Sequence, residues 1–322
     1  MAKKRKSPLL LLLVLLVLCV GALLGVRAYN AAQAKKEAQD AENAKIIIIP
    51  KADYHTVQVK NSADTFSLLY ADERWTLAED ESFPLDQSKT ARLTDIASGL
   101  TAITRITNGD TLEAYGLASP AATLTLTGET ETITVMLGDP DNGHSYLKRG
   151  GDDAVYEIAG DLLTQASLGR LNLISPDLLP TLTAANITGF SVMSGNGILT
   201  LVRETVDKTD HWYIEQDGTR IAASNEKLAV PLSSLTTLTI NGCAAYRPDA
   251  AALASFGLDA PRVLTVSYSA ADNQAHTLVL EVGDKTADGA NYFVHQQGSD
   301  YVDLLSVSAL DTILTLERAA LQ

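Results

Sequence analysis

Tyr115-Gly116-Leu117-Ala118-Ser119-Pro120 returns as Phe256-Gly257-Leu258-Asp259-Ala260-Pro261, 141 residues further on. The agreement reaches outward from this block. Trp75-Thr76-Leu77 is answered by Trp212-Tyr213-Ile214 at an offset of 137, Leu137-Gly138-Asp139 by Val282-Gly283-Asp284 at 145, and Tyr146 by Tyr292 at 146. Offsets that rise slowly in one direction are those of a duplicated module with a few loop insertions, and a self-match on this scale constrains the architecture more than any local pattern. The chain therefore reads as module one (46–180) and module two (181–322), preceded by a segment that belongs to neither.

Inside each module the pattern alternates over short stretches and is broken by Gly- and Asp-bearing turns, which predicts strands. In module one these are Ile46–Ile49, then 56–60, 65–70 and 74–78, and later 122–127, 132–137, 145–148 and 155–158. Ser88 is expected to cap a helix with its apolar face on Leu93, Ile96, Leu100 and Ile103, and a short helix over 161–168 closes the module. Module two repeats the order with strands at 189–193, 198–203 and 212–215, and a helix through Leu228, Leu232, Leu235 and Leu238. Strands at 263–268, 277–282, 292–295 and 301–304 follow. Pro231 either sits in the first turn of a helix starting near Val230 or interrupts a longer one beginning at Ser224. Short sequential strands with one main helix per copy give an α+β fold on antiparallel sheets. The boundary is expected between Ser175-Pro176 and Asn186, and Trp75 and Trp212 are expected to anchor the two cores.

The N-terminal segment carries a different signal. Lys3, Lys4, Arg5 and Lys6 precede an uncharged run from Ser7 to Val26. At about 1.5 Å per residue, Leu9–Val26 spans roughly 27 Å as a helix, enough to cross a bilayer's hydrocarbon core. Residues 1–27 are read as a cytoplasmic basic start and an uncleaved single-pass transmembrane helix, and 28–45 as a polar stalk. A secretory signal peptide cleaved after Ala28 or Ala34 is the alternative, though its apolar region is ordinarily shorter. The basic cluster stays inside, which places the body outside the cell membrane.

Charge follows the same division. Residues 1–45 carry eight Lys or Arg against three acids, so the body holds −19 of a net −14. A body this acidic, with no basic stripe, repels phosphate backbones, which excludes nucleic acid as a partner. Cys19 lies in the apolar run, so Cys243 is alone in the body and reads as a small buried side chain near Ile240.

No residue is identified as catalytic, cofactor-binding or metal-ligating, and no cofactor is expected. The five histidines (55, 144, 211, 276, 295) include no pair at metal-ligand spacing on one element. Asp139-Pro140-Asp141-Asn142-Gly143 begins like a calcium loop, but its Gly comes one position early and its twelfth position is Gly150, so it reads as a turn. Ser224-Asn225-Glu226-Lys227 fits the Ser-x-x-Lys pattern of acyl-enzymes without the partner motifs, and Ser224 falls where a helix cap is expected.

The paired Trp, the Tyr/Phe-Gly-Leu-x-x-Pro block, Leu/Val-Gly-Asp and the following Tyr resemble domain-of-unknown-function family 4340, over roughly residues 50–315 in two copies. The resemblance implies an N-terminal membrane segment followed by such modules, often encoded beside a gliding-motility-type ABC transporter permease and its large auxiliary subunit. It thus implies a non-catalytic extracytoplasmic accessory role with those subunits as partners. The alternatives are an envelope protein that binds cell-wall or polysaccharide material, with Tyr146 and Tyr292 as paired contact residues, and an envelope hydrolase.

Overall fold

The computed structural model describes residues 45–322 apart from Asn108, Asn196, Asp272 and Asn273, together with Val26, Arg27, Tyr29, Asn30, Gln33 and Lys35. The expected transmembrane helix, except for Val26, and most of the stalk lie outside the described residues. No helix among the described residues is long and apolar enough to cross a membrane.

The chain is sheet-rich α+β with antiparallel sheets and a few helices. It divides into two compact units, Met1–Val57 with Leu93–Ala166, and Gln58–Arg92 with Ser167–Gln322. The strands of the first copy are β1 (Ile46–Ile47), β2 (Tyr54–Asn61), β3 (Thr65–Ala71), β4 (Arg74–Leu77), β5 (Thr101–Ala102) and β6 (Thr104–Ile106). β7 (Ala122–Gly128), β8 (Thr132–Asp141), β9 (His144–Arg149) and β10 (Val155–Ala159) follow, and the helices are α1 (Gln87–Ala97) and α2 (Asp161–Ala166). The second copy begins with β11 (Ile187–Ser194), β12 (Gly197–Val206), β13 (Thr209–Gln216), β14 (Thr219–Ala222), helix α3 (Asn225–Thr236) and β15 (Ile240–Tyr246). It continues with α4 (Ala250–Ser255), β16 (Arg262–Ser269), β17 (Ala275–Lys285), β18 (Asn291–Gln296), β19 (Tyr301–Ser306), α5 (Val307–Leu314) and α6 (Arg318–Leu321).

Sheet order repeats with the sequence. One sheet runs β4-β3-β2-β7-β8-β9-β10-β6 and the other β14-β13-β12-β11-β16-β17-β18-β19-β15. Without β14 the second order is the first, element for element. Trp75 on β4 and Trp212 on β13 hold the same place, 7% and 5% exposed, as core anchors. Trp212 packs edge-on to Phe190 at 5.9 Å. It belongs to a core in which Leu228 and Leu235 of α3 and Leu310 and Ile313 of α5 are buried with Leu201, Leu264 and Leu280. Each such side chain contributes about 1.5–3 kcal/mol by leaving water.

The repeated Gly-Leu block is a helix stop. In the first copy Gly116 has φ 66°, its N–H bonds to Glu113 O at 3.1 Å, and Leu117 N bonds back to Leu112 O at 2.8 Å. In the second Gly257 has φ 71°, with Gly257 N to Ala254 O at 3.0 Å and Leu258 N to Leu253 O at 3.0 Å. A left-handed residue closing two such bonds calls for glycine, and the following leucine is buried in both copies.

Several expectations change. Ile46 and Ile47 pair with β5, whereas Ile48 and Ile49 leave the ladder and are buried in a bend. Helix α1 is capped by Asp86, whose Oδ1 accepts from Ser88 N at 2.9 Å and Lys89 N at 3.1 Å, so Ser88 lies inside the helix. The helix stops at Ala97 before Gly99 at φ 80°, and Leu100 and Ile103 fall outside it. Pro231 lies within α3, which begins after its cap Ser224. Tyr146 and Tyr292 are not equivalents. Strand pairing aligns His144↔Ala159 with Asn291↔Ser306 and Leu147↔Tyr156 with Val294↔Asp303, an offset of 147. Tyr146 thus matches Phe293, and its ring contact to Tyr115 at 4.8 Å recurs, at a more tilted angle, as Phe256–Phe293 at 4.6 Å.

Candidate functional site

The same register sets Asp303 of β19 where the first copy has Tyr156, and their cross-strand neighbours are Cys243 of β15 and Arg105 of β6. In the first copy the Tyr156 hydroxyl donates to Asp152, and Arg105 lies 3.6 Å from that carboxylate. In the second copy a short acid replaces the ring. Asp303 is 4% exposed and its Oδ1 has no hydrogen-bond partner among the described residues. Burial, reinforced by the Asp177 carboxylate and opposed by His295, pushes its pKa up to about 7.

The surrounding groups form a connected set. His295 of β18 shares Nδ1 with Glu281 at 3.0 Å and Nε2 with the Ser299 carbonyl at 3.0 Å. Burial disfavours its charge, but these two acceptors outweigh burial and raise its pKa. Ser299 Oγ donates to Asp177 Oδ2 at 2.5 Å. Cys243 is half-buried with Sγ 3.2 Å from Ala245 O, and burial, then Asp303, push its thiol up to about 11. An open depression of about 240 Å³ beside this set is lined by Arg247, Pro248, Leu253, His295, Ser299 and Asp300. The set is not wired as a Ser-His-Asp relay. Both His295 nitrogens face acceptors and the Ser299 hydroxyl donates to the Asp177 carboxylate, so the imidazole is not aimed at Oγ. Cys243 stays a thiol at neutral pH, as a small packed side chain should.

A larger concavity, about 670 Å³, lies across β11–β13 and the C-terminal turn of the second copy. It is lined by Val192, Leu199, Ile214, Leu314 and Leu316 together with Arg262, Arg318, Glu215 and Glu317. Arg262 is fixed, donating to Gly283 O at 3.2 Å and lying 4.6 Å from the Tyr292 ring centroid. Ile198, 67% exposed, also lines the concavity, and its partner across the ladder, Met193, is 43% exposed.

The motifs weighed from sequence resolve into structure. Ser224 Oγ accepts from Lys227 N at 3.4 Å as the cap of α3. Asn142 and Gly143, at φ 47° and 87°, form the tight turn between β8 and β9, with Asp141 paired to His144. Tyr292 is 2% exposed and donates to Asp311 at 2.6 Å, so it offers no stacking surface. Sequence reasoning missed Asp303 and the groove. Aligning the two copies residue by residue was the signal for both, since each is a place where the second copy departs from the first.

Residues 75–244 and 212–320 match the family described as Domain of unknown function (DUF4340), as two overlapping copies. The chain belongs to this family. Neither a curated protein nor a solved structure matches it. Both DUF4340 matches begin on the equivalent tryptophans, Trp75 and Trp212, so the family's pattern starts at the strand that anchors each core.

Proposed function

We propose that the chain is a non-catalytic extracytoplasmic binding subunit, anchored in the cell membrane by residues 9–26 and assembling with a gliding-motility-type ABC transporter. The observation that carries it is a difference between the copies. Phe66, 1% exposed, fills the position on β3 that Leu199 occupies on β12, and Leu199 is only partly buried where it lines the concavity. At this position the Phe66 ring fills the first copy, whereas the second presents a concavity lined by Val192, Leu199, Ile214 and Leu314 together with Glu215, Arg262, Glu317 and Arg318, the mix of apolar and charged groups that recognition uses. Tethering such a surface raises its effective concentration at a membrane partner. The family resemblance supplies the partner class, the permease and its auxiliary subunit.

The test is crosslinking in intact cells from a photoreactive residue at Ile198, followed by detergent extraction and mass spectrometry. A permease or auxiliary subunit in the adduct is the expected result. Adducts to wall material alone, with no membrane protein, would overturn the reading. N-terminal mass spectrometry of the same preparation checks the anchor, since a mature terminus created after Ala28 or Ala34 removes it.

A further inference from the structure

The groove has a counterpart in the first copy, where it is shut by a named pair. Arg170 grips Asp64 with Nε on Oδ2 at 2.8 Å and Nη2 on Oδ1 at 2.7 Å, a bidentate pair. The equivalents follow from hydrogen bonding rather than from sequence identity. The cap residue of α1, Asp86, donates its N–H to Leu173 O at 2.8 Å; the cap of α3, Ser224, donates to Leu321 O at 2.8 Å. Three residues back from each carbonyl stand Arg170 and Arg318. On the strand side, Leu68↔Leu77 corresponds to Leu201↔Ile214, so Phe66 corresponds to Leu199 and Asp64 to Gly197. The second copy keeps the arginine and loses both the carboxylate and the aromatic ring. Arg318 turns to Gln216 instead, and the space so left opens into the groove, which both Gly197 and Arg318 line.

We propose that this groove docks an extended peptide segment of a partner protein carrying a carboxylate and, two residues further on, a large apolar side chain. The carboxylate takes the place of Asp64 against Arg318, and the apolar group packs on Leu199, in the part of the Phe66 volume that the smaller leucine leaves open, beside Val192 and Ile214. Glu215 and Glu317 in the lining disfavour a second acid on the same segment and favour a basic or neutral flank. The inference rests on the binding reading above, and it names the ligand's chemistry without depending on the transporter as its source.

The probe is a fluorescently labelled nonapeptide with the sequence of residues 60–68, Lys-Asn-Ser-Ala-Asp-Thr-Phe-Ser-Leu, titrated with the full chain in detergent micelles and followed by anisotropy. Saturable binding is expected. Arg318→Ala, or Asn in place of the peptide's Asp, should each weaken it about tenfold or more, as loss of a charge-assisted pair requires. Leu199→Phe should also weaken it at least tenfold without lowering the melting temperature, which separates a filled groove from a misfolded chain. Absence of saturable binding, or equal affinity for the Asn peptide, overturns the proposal. So does undiminished binding of a peptide with Ala for Phe, which would mark a plain carboxylate site. A dimer dissolved by Arg318→Ala overturns it too, by showing that a second copy holds the groove. None of these results alters the crosslinking outcome in cells, so the two readings fail separately.

Discussion

Gly138 lies so close to Tyr115 that a Cβ placed on it would stand 2.0 Å from the Tyr115 carbonyl oxygen. Gly283 repeats the relation with Phe256 at 2.1 Å, where Asp284 N also donates to Phe256 O at 2.8 Å. In both copies the glycine begins a bulge, between Leu137 and Pro140 and between Val282 and Lys285, that lets the hairpin approach the helix stop. Gly138→Ala and Gly283→Ala are therefore each expected to cost about 3 kcal/mol, the upper end of overpacking. Gly195→Ala, in open space, is the control and should change stability by less than about 0.5 kcal/mol. Urea melts of the three variants check this; a Gly138→Ala chain as stable as the control would remove the steric account.

The repeat, the sheet-rich α+β class and most strands were legible because they rest on periodicity and on residues such as Trp75 and Gly116 whose roles are local. What stayed hidden depended on contacts distant in sequence. Helix α1 has Leu100 and Ile103 in phase, yet Gly99 turns left-handed and the chain leaves the helix. Strand β15 was missed because its residues are nearly all half-buried, which gives no alternation to read. Tyr146 and Tyr292 share an identity but stand one residue apart in ladder register, which the sequence does not display. Asp303 looks like any strand-end acid until Asp177, from before β11, is brought beside it.

Edge protection gives a second prediction. The Gln87 side chain acts as a strand for Trp75: Oε1 accepts from Trp75 N at 2.8 Å and Nε2 donates to Trp75 O at 3.0 Å. In the second copy β14 covers that edge with backbone. Gln87→Ala leaves both Trp75 groups unpaired and should cost about 1–3 kcal/mol. Gln87→Glu keeps the acceptor but loses the donor and should fall between. Hydrogen exchange at the Trp75 amide reads the effect directly, and unchanged protection in Gln87→Ala would refute it.

The Asp64–Arg170 pair sets an acid limb. The hydrogen bond from Arg170 holds the Asp64 carboxyl down at about 2, against the opposing effect of burial. A folded pKa below the unfolded one adds stability that is present above pH ~4 and lost as pH falls toward 2, here about 1–2 kcal/mol after allowing for solvent. Arg170→Ala should abolish this part of the profile and lower stability at pH 6. Guanidinium melts at pH 6, 4 and 2.5 test it; an unchanged slope between pH 4 and 2.5 in the variant would count against the pair.

Asp303 acts with the opposite sign. Its folded pKa of about 7, raised first by burial and then by Asp177, lies above that of an unfolded aspartate near 4. Between those values the unfolded chain has released a proton that the folded chain still holds, so stability falls as pH rises from about 4 to 7 and is flat beyond. The span corresponds to something on the order of 2–4 kcal/mol. Asp303→Asn removes the ionisable group while keeping a neutral side chain of the same shape in the 4% exposed site. The variant is expected to match the parent near pH 4.5 and to exceed it at pH 8 by most of that span. Asp177→Asn should recover only part of it, because burial dominates the shift. Paired urea melts at pH 4.5, 6 and 8 decide the matter: parallel profiles for parent and Asp303→Asn would show that the carboxyl finds a partner on ionisation and that burial does not hold it neutral.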